Sequence, residues 1–204
     1  MGHLAASGGE RGLMSRRGWI ILGTAAALLP LFALLAWAAV QQQGQPPGTG
    51  INAQFGEVRV SESRAADFAL ELADGNTLRL SDLRGSVVMV DFWASWCGPC
   101  RQEAATLNRI YAAYSDAPVE FVGVNLWDTP DAAEVFLVEF GVAYPTGVDT
   151  GGGIALEYGV RGIPEKFFID ADGTIRRKYV GPMPEDVLRG TLDELLSEAP
   201  AQGG

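Results

Sequence analysis

The sequence predicts an α/β fold in which buried strands alternate with helices, and three observations predict it. Two apolar runs, Val87 to Phe92 and Val119 to Asn125, read as strands covered on both faces. A helical pattern follows each, and strand, helix, strand, helix in that order implies a parallel βαβ core with right-handed crossovers. The chain's only two cysteines stand C-x-x-C where the first of these strands meets the first helix, at Cys97 and Cys100.

At 204 residues the chain has room for one ordinary domain and an appendage. Gly18 to Val40 is apolar without a charge, and at ~1.5 Å per helical residue such a run crosses a ~30 Å hydrocarbon layer. Arg11, Arg16 and Arg17 precede it and no basic residue follows until Arg59. The positive-inside bias therefore predicts residues 1–17 in the cytoplasm, a transmembrane segment at 18–40 and the remainder extracytoplasmic. Its length favours an uncleaved anchor; a signal peptide cut near Ala36-Trp37-Ala38, or a twin-arginine signal at Ser15-Arg16-Arg17, is the other reading. Residues 41–60, rich in Gln, Gly and Pro, read as a flexible linker, 61–198 as the folded domain and 199–204 as a disordered tail.

Within the domain, Phe68, Leu70 and Leu72 alternate, Asp74-Gly75 signals a turn, and Leu78 and Leu80 resume the alternation, so a β-hairpin is predicted. Ser81 to Gly85 turns into the first buried strand. A helix follows from about Cys97 to Tyr114, with Ala104, Leu107, Ile110 and Tyr111 at helical spacing. Thr129 reads as an N-cap with Pro130 at the first helical position, and Ala133, Phe136, Leu137 and Phe140 form the apolar face of a helix ending at Gly141. The glycines at 151–153 lack the Gly-Lys-Ser/Thr of a phosphate loop and lead into a short helix, Ile154 to Tyr158. After Gly162-Ile163-Pro164-Glu165 come a strand from Lys166 to Asp170, a turn at Ala171-Asp172-Gly173 and an antiparallel partner from Thr174 to Tyr179. A helix from Pro184 to Leu196 closes the domain, with Val187, Leu188, Leu192 and Leu195 inward.

Composition removes several function classes. The formal net charge is −10, and three of the 15 basic residues precede the apolar run, so the domain lacks the clustered Lys and Arg that nucleic acid requires. The single histidine, His3, also precedes that run. A Cys-His catalytic pair and a Cys/His zinc site of the usual ligand count are both excluded, and neither a metal nor a cofactor is expected. A thiol at the first turn of a helix meets unpaired N–H groups and the positive end of the helix dipole, which favour the thiolate. The expected chemistry is disulfide exchange, with Cys97 attacking and Cys100 resolving. A purely structural bridge is the weaker reading, because so short a loop removes little chain entropy.

Val90-Asp91-Phe92-Trp93-Ala94-Ser95-Trp96-Cys97-Gly98-Pro99-Cys100, then Gly159-Val160-Arg161-Gly162-Ile163-Pro164, then Phe168-Ile169-Asp170 and Gly173, together resemble a thioredoxin-fold protein. The resemblance covers about Phe55 to Glu198 and is to the membrane-anchored thiol:disulfide oxidoreductases of the TlpA, ResA and CcmG (DsbE) type. A hairpin before the Cys strand, a helical insertion between Cys100 and Pro164, and Glu103 in a C-x-x-C-x-x-E pattern point to that group. Gly162-Ile163-Pro164-Glu165 with Phe168 resembles the Gly-x-Pro-Glu-x-Phe loop of the CcmG branch, although Lys166 stands where that branch usually has threonine.

The resemblance implies a central mixed sheet flanked by helices, and a cis Ile163-Pro164 bond opposite the cysteines that turns the Ile163 backbone toward an extended substrate. It also implies a buried Asp91 that takes the proton of the resolving thiol. Glu103 either faces the same pocket or is an exposed first-turn acid. Trp96, with Gly98 and Pro99, is expected to contact substrate, while Trp93 packs beside it. Gly98-Pro99 matches the reducing thioredoxin dipeptide. The implied function is reduction of disulfides in exported proteins, apocytochrome c among them, with electrons from a membrane thiol transporter of the CcdA/DsbD type. Two rivals are a thiol peroxidase of the AhpC/TSA-redoxin superfamily, whose P-x-x-x-T/S-x-x-C site would need proline and threonine where Val90 and Ala94 stand, and a Cu(I)-handling module.

Overall fold

A computed structural model describes residues 26, 28–34 and 55–198. Most of the apolar run 18–40 and of the linker, and all of residues 1–17 and 199–204, lie outside the described residues. Residues 26 and 28–34 are helical and exposed, and among the described residues no helix is long and apolar enough to cross a membrane. This segment and the domain from 48 onward are separate compact units.

The domain runs β1 (Gly56–Val58), β2 (Ser63–Arg64), β3 (Ala69–Glu71), β4 (Thr77–Arg79), a 3-10 turn (Leu80–Leu83), β5 (Val87–Trp93), α1 (Gly98–Ala113), β6 (Val119–Asn125), α2 (Pro130–Phe140), β7 (Thr146–Val148), α3 (Gly153–Glu157), β8 (Glu165–Ile169), β9 (Thr174–Val180) and α4 (Glu185–Glu198). The main sheet has the order β1-β9-β8-β5-β6-β7, with β2 also on β9, while β3 and β4 pair by themselves. β5 is parallel to β6 and antiparallel to β8, which makes the sheet mixed.

All seven residues of β5 are buried, as expected of a strand with helices on both faces. Its side chains divide with period two. Val88, Val90 and Phe92 belong to one core cluster, and Val87 and Met89 to another that includes Leu107, Ile110, Leu188 and Leu192 of α1 and α4. β8 divides in the same way, Phe167 and Ile169 on the first side and Phe168 on the second. By this parity Asp91 and Lys166 share the second face, and the β5–β8 register sets them directly opposite one another. The proposed cap of α2 is present: the Thr129 side chain accepts from the Ala132 N–H, and Gly141 closes the helix at φ 59°.

Three short strands escape the sequence pattern. Gly56–Val58, assigned by sequence to the 41–60 linker, pairs with β9; β2 and β7 add two and three residues at the margins. None is long enough to alternate, so register with a neighbour defines them. Val187 is a second correction. It is 40% exposed, because α4 buries the stripe Leu188, Leu192 and Leu195, and Val187 falls beside it.

The β3–β4 hairpin docks on β7 through an isolated bridge between Leu72 and Gly147 and the Ala73 N–H to Thr146 carbonyl bond, 3.1 Å. A Cβ on Gly147 would collide with the Glu71 carbonyl and the Leu70 side chain. Gly147→Ala is therefore expected to push the hairpin off β7 and cost roughly 1–3 kcal/mol. Urea denaturation checks this; an unchanged midpoint would show that the hairpin tolerates the shift.

Candidate active site

The active-site candidates gather where β5 and β6 end, since parallel strands deliver their following loops to one edge of the sheet. β5 closes on the buried Trp93 and Ala94, and the Cys97 N–H returns to the Ala94 carbonyl at 3.2 Å. Cys97 is the N-cap of α1, and Pro99 occupies the first turn, where its missing N–H leaves no helical bond unmade. The Cys97 Sγ accepts the Cys100 N–H at 3.2 Å, one of the N–H groups the helix start leaves unpaired. Cys97 and Cys100 form a disulfide with Cα atoms 5.3 Å apart. Both are buried, whereas Trp96 and Gly98 are exposed and Pro99 is half-buried.

The Ile163–Pro164 bond is cis. Ile163 is buried in the same core cluster as Cys97, Cys100 and Ala94, and the β5–β8 register sets Glu165 across from Phe92, so the loop lies at the end of β5 from which the cysteine loop departs. Glu165 anchors that loop. Its Oε1 accepts the Arg161 N–H at 3.3 Å and its Oε2 meets Lys178 Nζ of β9 at 2.7 Å, while the Pro164 carbonyl accepts the Gly181 N–H at 2.8 Å.

Trp96 is 43% exposed, and its indole N–H donates to the Trp127 carbonyl at 3.0 Å. Trp127, on the loop after β6, is itself 50% exposed and adopts φ 52°. Asp128 ties this loop to the cysteine loop, accepting from the Ser95 N–H at 2.6 Å, the Ser95 hydroxyl at 3.1 Å and the Asn125 amide at 3.1 Å. Partial burial pushes the Asp128 carboxyl up, but these bonds and the Thr129 N–H outweigh it and hold the group below its usual range. Trp93, by contrast, is core, stacked on Phe136 with ring centroids 4.3 Å apart.

Three ionisable side chains meet between β5, β8 and α1. Asp91, Glu103 and Lys166 are 2%, 4% and 0% exposed. Lys166 Nζ lies 2.6 Å from Glu103 Oε1 and 3.2 Å from Asp91 Oδ1, the latter an ion pair without the alignment of a good hydrogen bond. Glu103 Oε2 also accepts the Met183 N–H at 3.0 Å. Of the two readings of Glu103, the exposed first-turn acid is thus excluded. Glu103 shares the buried face of α1 with Cys100. Burial pushes the Asp91 carboxyl up, and Lys166 offsets only part of that. Burial, with a lesser contribution from Asp91, raises Glu103 to about 7 against the pull of Lys166. For Lys166 burial alone would lower the ammonium, but the two carboxylates more than compensate and hold it above its ordinary value.

Comparison with known proteins agrees with this geometry. The model of the AhpC/TSA family matches residues 62–178, more than half of the chain. The chain belongs to that family. Within it, the relatives are thiol-disulfide oxidoreductases. The chain is 31% identical to ResA of Bacillus anthracis over 131 residues, 64% of this chain and 76% of that one. It is 43% identical to the thiol:disulfide interchange protein HelX of Rhodobacter capsulatus over 119 residues, 57% of this chain and 65% of HelX, just under two thirds of that relative. Among solved structures it resembles a Chlorobium tepidum protein assigned as the thiol:disulfide interchange protein DsbE, at TM-score 0.62 and 38% identity over 65% of this chain and 95% of that one. A secreted Mycobacterium tuberculosis disulfide oxidoreductase homologous to DsbE gives TM-score 0.58 at 28% identity, covering 63% and 96%. The fold is the thioredoxin-like α/β arrangement.

Sequence reasoning singled out Asp91, Cys97, Cys100, Glu103, Ile163 and Pro164; the fold sets Cys97, Cys100 and Ile163 in one core cluster and joins Asp91 and Glu103 through Lys166. It missed Trp127, Glu165 and Lys166 as parts of the site. Trp127 carried a readable signal, since a large apolar residue after β6 must emerge at the same sheet edge as the loop after β5.

Proposed function

We propose that this thiol-disulfide oxidoreductase works outside the cytoplasm, tethered by the 18–40 segment, and reduces disulfides in exported proteins. Apocytochrome c is the proposed client, and a membrane thiol transporter of the CcdA/DsbD type the proposed electron source. The observation that carries the reading is a cysteine pair at a helix N-terminus, in one core cluster with Ile163, with a buried carboxylate on the preceding strand and another on the same helix. The names of ResA, HelX and the DsbE-type structures support the exchange chemistry, and Gly98-Pro99 between the cysteines supports the reducing direction.

In the reduced protein the Cys97 thiolate attacks one sulfur of the client disulfide, forming a Cys97–client disulfide and expelling a client thiolate. The Cys100 thiol then gives its proton to a buried carboxylate and attacks the Cys97 sulfur. That closes the Cys97–Cys100 disulfide and releases the second client thiolate, so two electrons pass to the client. A dithiol donor must then return two electrons, the carboxylic acid gives its proton back to Cys100, and the donor's own protons pass to the solvent that protonates the released client thiolates. Trp96 and Trp127 supply flat apolar surface for the client segment beside its cysteine.

Family membership keeps peroxide reduction as a second reading. Against it, Val90 and Ala94 occupy the positions where the peroxidatic site would need proline and threonine. Mixing the reduced protein with an oxidised C-x-x-C-H peptide or with hydrogen peroxide separates the two. The peptide is expected to oxidise it stoichiometrically within minutes and peroxide far more slowly. The reverse order would replace the reductase with a peroxidase.

A further inference from the structure

A cleft of about 890 Å³ opens on the domain, lined by the β3–β4 hairpin, α2, α3 and the ends of β6 and β7. That is the size of a small-molecule site. Leu70, Leu137, Val148 and Ile154 give it apolar surface. Five acidic side chains border it: Asp67 and Glu71 from the hairpin side, Glu134 on α2, Asp149 after β7 and Glu157 on α3. No Lys, Arg or His lines it. Asp67 accepts the Ser81 N–H at 2.9 Å, and Asp149 accepts the Gly153 and Ala155 N–H groups at 3.1 and 3.0 Å. None of the five forms an ion pair among the described residues, whereas acids elsewhere on the domain do, Glu139 with Arg101, Glu185 with Arg109 and Glu198 with Arg176.

A second observation comes from Asn125, the last residue of β6, which lines the same cleft and is 0% exposed. Its Nδ2 donates to Asp128 Oδ2 at 3.1 Å. A carboxylate only accepts, so this bond settles which end of the amide is nitrogen and turns Oδ1 away from Asp128. Oδ1 has no hydrogen-bond partner among the described residues, and a buried acceptor left so is costly. The complementary ligand therefore brings an N–H donor, positive charge and an aliphatic body. A metal ion does not suit the cleft, because among the described residues no three His, Cys, Asp or Glu side chains converge to hold one. Carboxylates spread over separate elements match instead a chain of ammonium groups spaced by methylenes.

We propose that this cleft binds an aliphatic polyamine: its methylenes lie on the apolar lining, one ammonium donates to Asn125 Oδ1 and the others face the bordering carboxylates. The site goes beyond disulfide exchange, yet it adjoins the cysteine loop. Asp128 accepts from both Asn125 and the Ser95 N–H, so the ligand contact lies two hydrogen bonds from that loop.

The test is titration calorimetry of the full-length protein with spermidine, which should saturate a single site per chain. Glu134→Gln and Glu157→Gln each remove one bordering charge and are expected to weaken binding by about twofold to fivefold. Asn125→Leu removes the buried acceptor and should weaken it by about tenfold or more, with thermal melting reporting folding separately. Asp186→Asn, which removes an exposed acid on α4, should leave the affinity unchanged. Insulin reduction without spermidine is expected to be unaltered in Glu134→Gln and Glu157→Gln, so binding and exchange are read apart. If Asn125→Leu does not fold, the two glutamine variants decide: wild-type affinity in both overturns the proposal. So does an equal loss in Asp186→Asn, or displacement of spermidine by an equal concentration of magnesium, since either would reduce the effect to the diffuse field of an acidic protein. A lysine-bearing peptide that displaces spermidine and binds more tightly would assign the cleft to a polypeptide and overturn the polyamine reading.

Discussion

Replacing Cys97 by serine is expected to abolish disulfide reduction, and replacing Cys100 is expected to do the same while leaving a covalent record. The difference follows from position. Cys97 caps α1 and its sulfur takes the Cys100 N–H, so the helix start stabilises a thiolate there. Cys100 lies in the first turn of α1 and is buried like Cys97, so it is the helix cap that sets the two apart. With Cys97→Ser no sulfur is placed to attack a client, and turnover should drop by about a thousandfold or more, as for loss of any catalytic nucleophile. With Cys100→Ser the first attack still proceeds, but nothing expels the client. The mixed disulfide should persist on non-reducing gels of cell-envelope extracts and vanish with dithiothreitol. If Cys97→Ser accumulated the adduct instead, the roles would be reversed; if neither did, exchange would not be the mechanism.

How much of this site could be read from the chain alone depended on the range of the interactions involved. β5, α1, β6 and α2 were legible because their signals are local: period-two and period-3.6 patterns, an N-cap Thr129 followed by Pro130, and a closing Gly141. The cysteine pair and Pro164 were legible through a joint motif. The edge strand β1 was not, because three residues with no alternation become a strand only through the hydrogen bonds of β9. Lys166 was not singled out for a related reason. In sequence it is a charged residue opening a strand, where exposure is the ordinary expectation. Its burial is decided by the β5–β8 register, which sets it against Asp91, and by α1, which brings Glu103 across from the other side of the chain. Neither contact has a signature within ten residues of Lys166. Two acids in a buried pocket nevertheless call for a cation, so Asp91 and Glu103 taken together pointed to a missing third member.

The buried Glu103 gives the protein an unusual dependence of stability on pH. Glu103 titrates at about 7 in the folded chain against 4.5 for the free side chain, with burial as the leading cause. Between those values the folded state holds a proton that the unfolded state has released, so stability falls as pH rises across this window. Below about pH 4.5 both states are protonated, and the penalty is absent. Lys166 is raised, so it stays charged in both states throughout and adds no slope there. Asp91 is also raised and contributes in the same direction. Asp128, held low by its hydrogen bonds, loses its stabilising contribution only as pH falls through the more acidic range, outside this window. The rise of Glu103 from 4.5 to about 7 corresponds to roughly 3 kcal/mol. Urea denaturation of the wild type is therefore expected to give a free energy of unfolding lower by about that amount at pH 8 than at pH 4.5. Glu103→Gln removes the titrating group and leaves Lys166 balanced by Asp91 alone, one cation against one anion, so most of the slope should disappear. A wild type equally stable at both pH values, or a Glu103→Gln variant with the full slope, would mean that the buried charge lies elsewhere than in the Asp91–Glu103–Lys166 cluster.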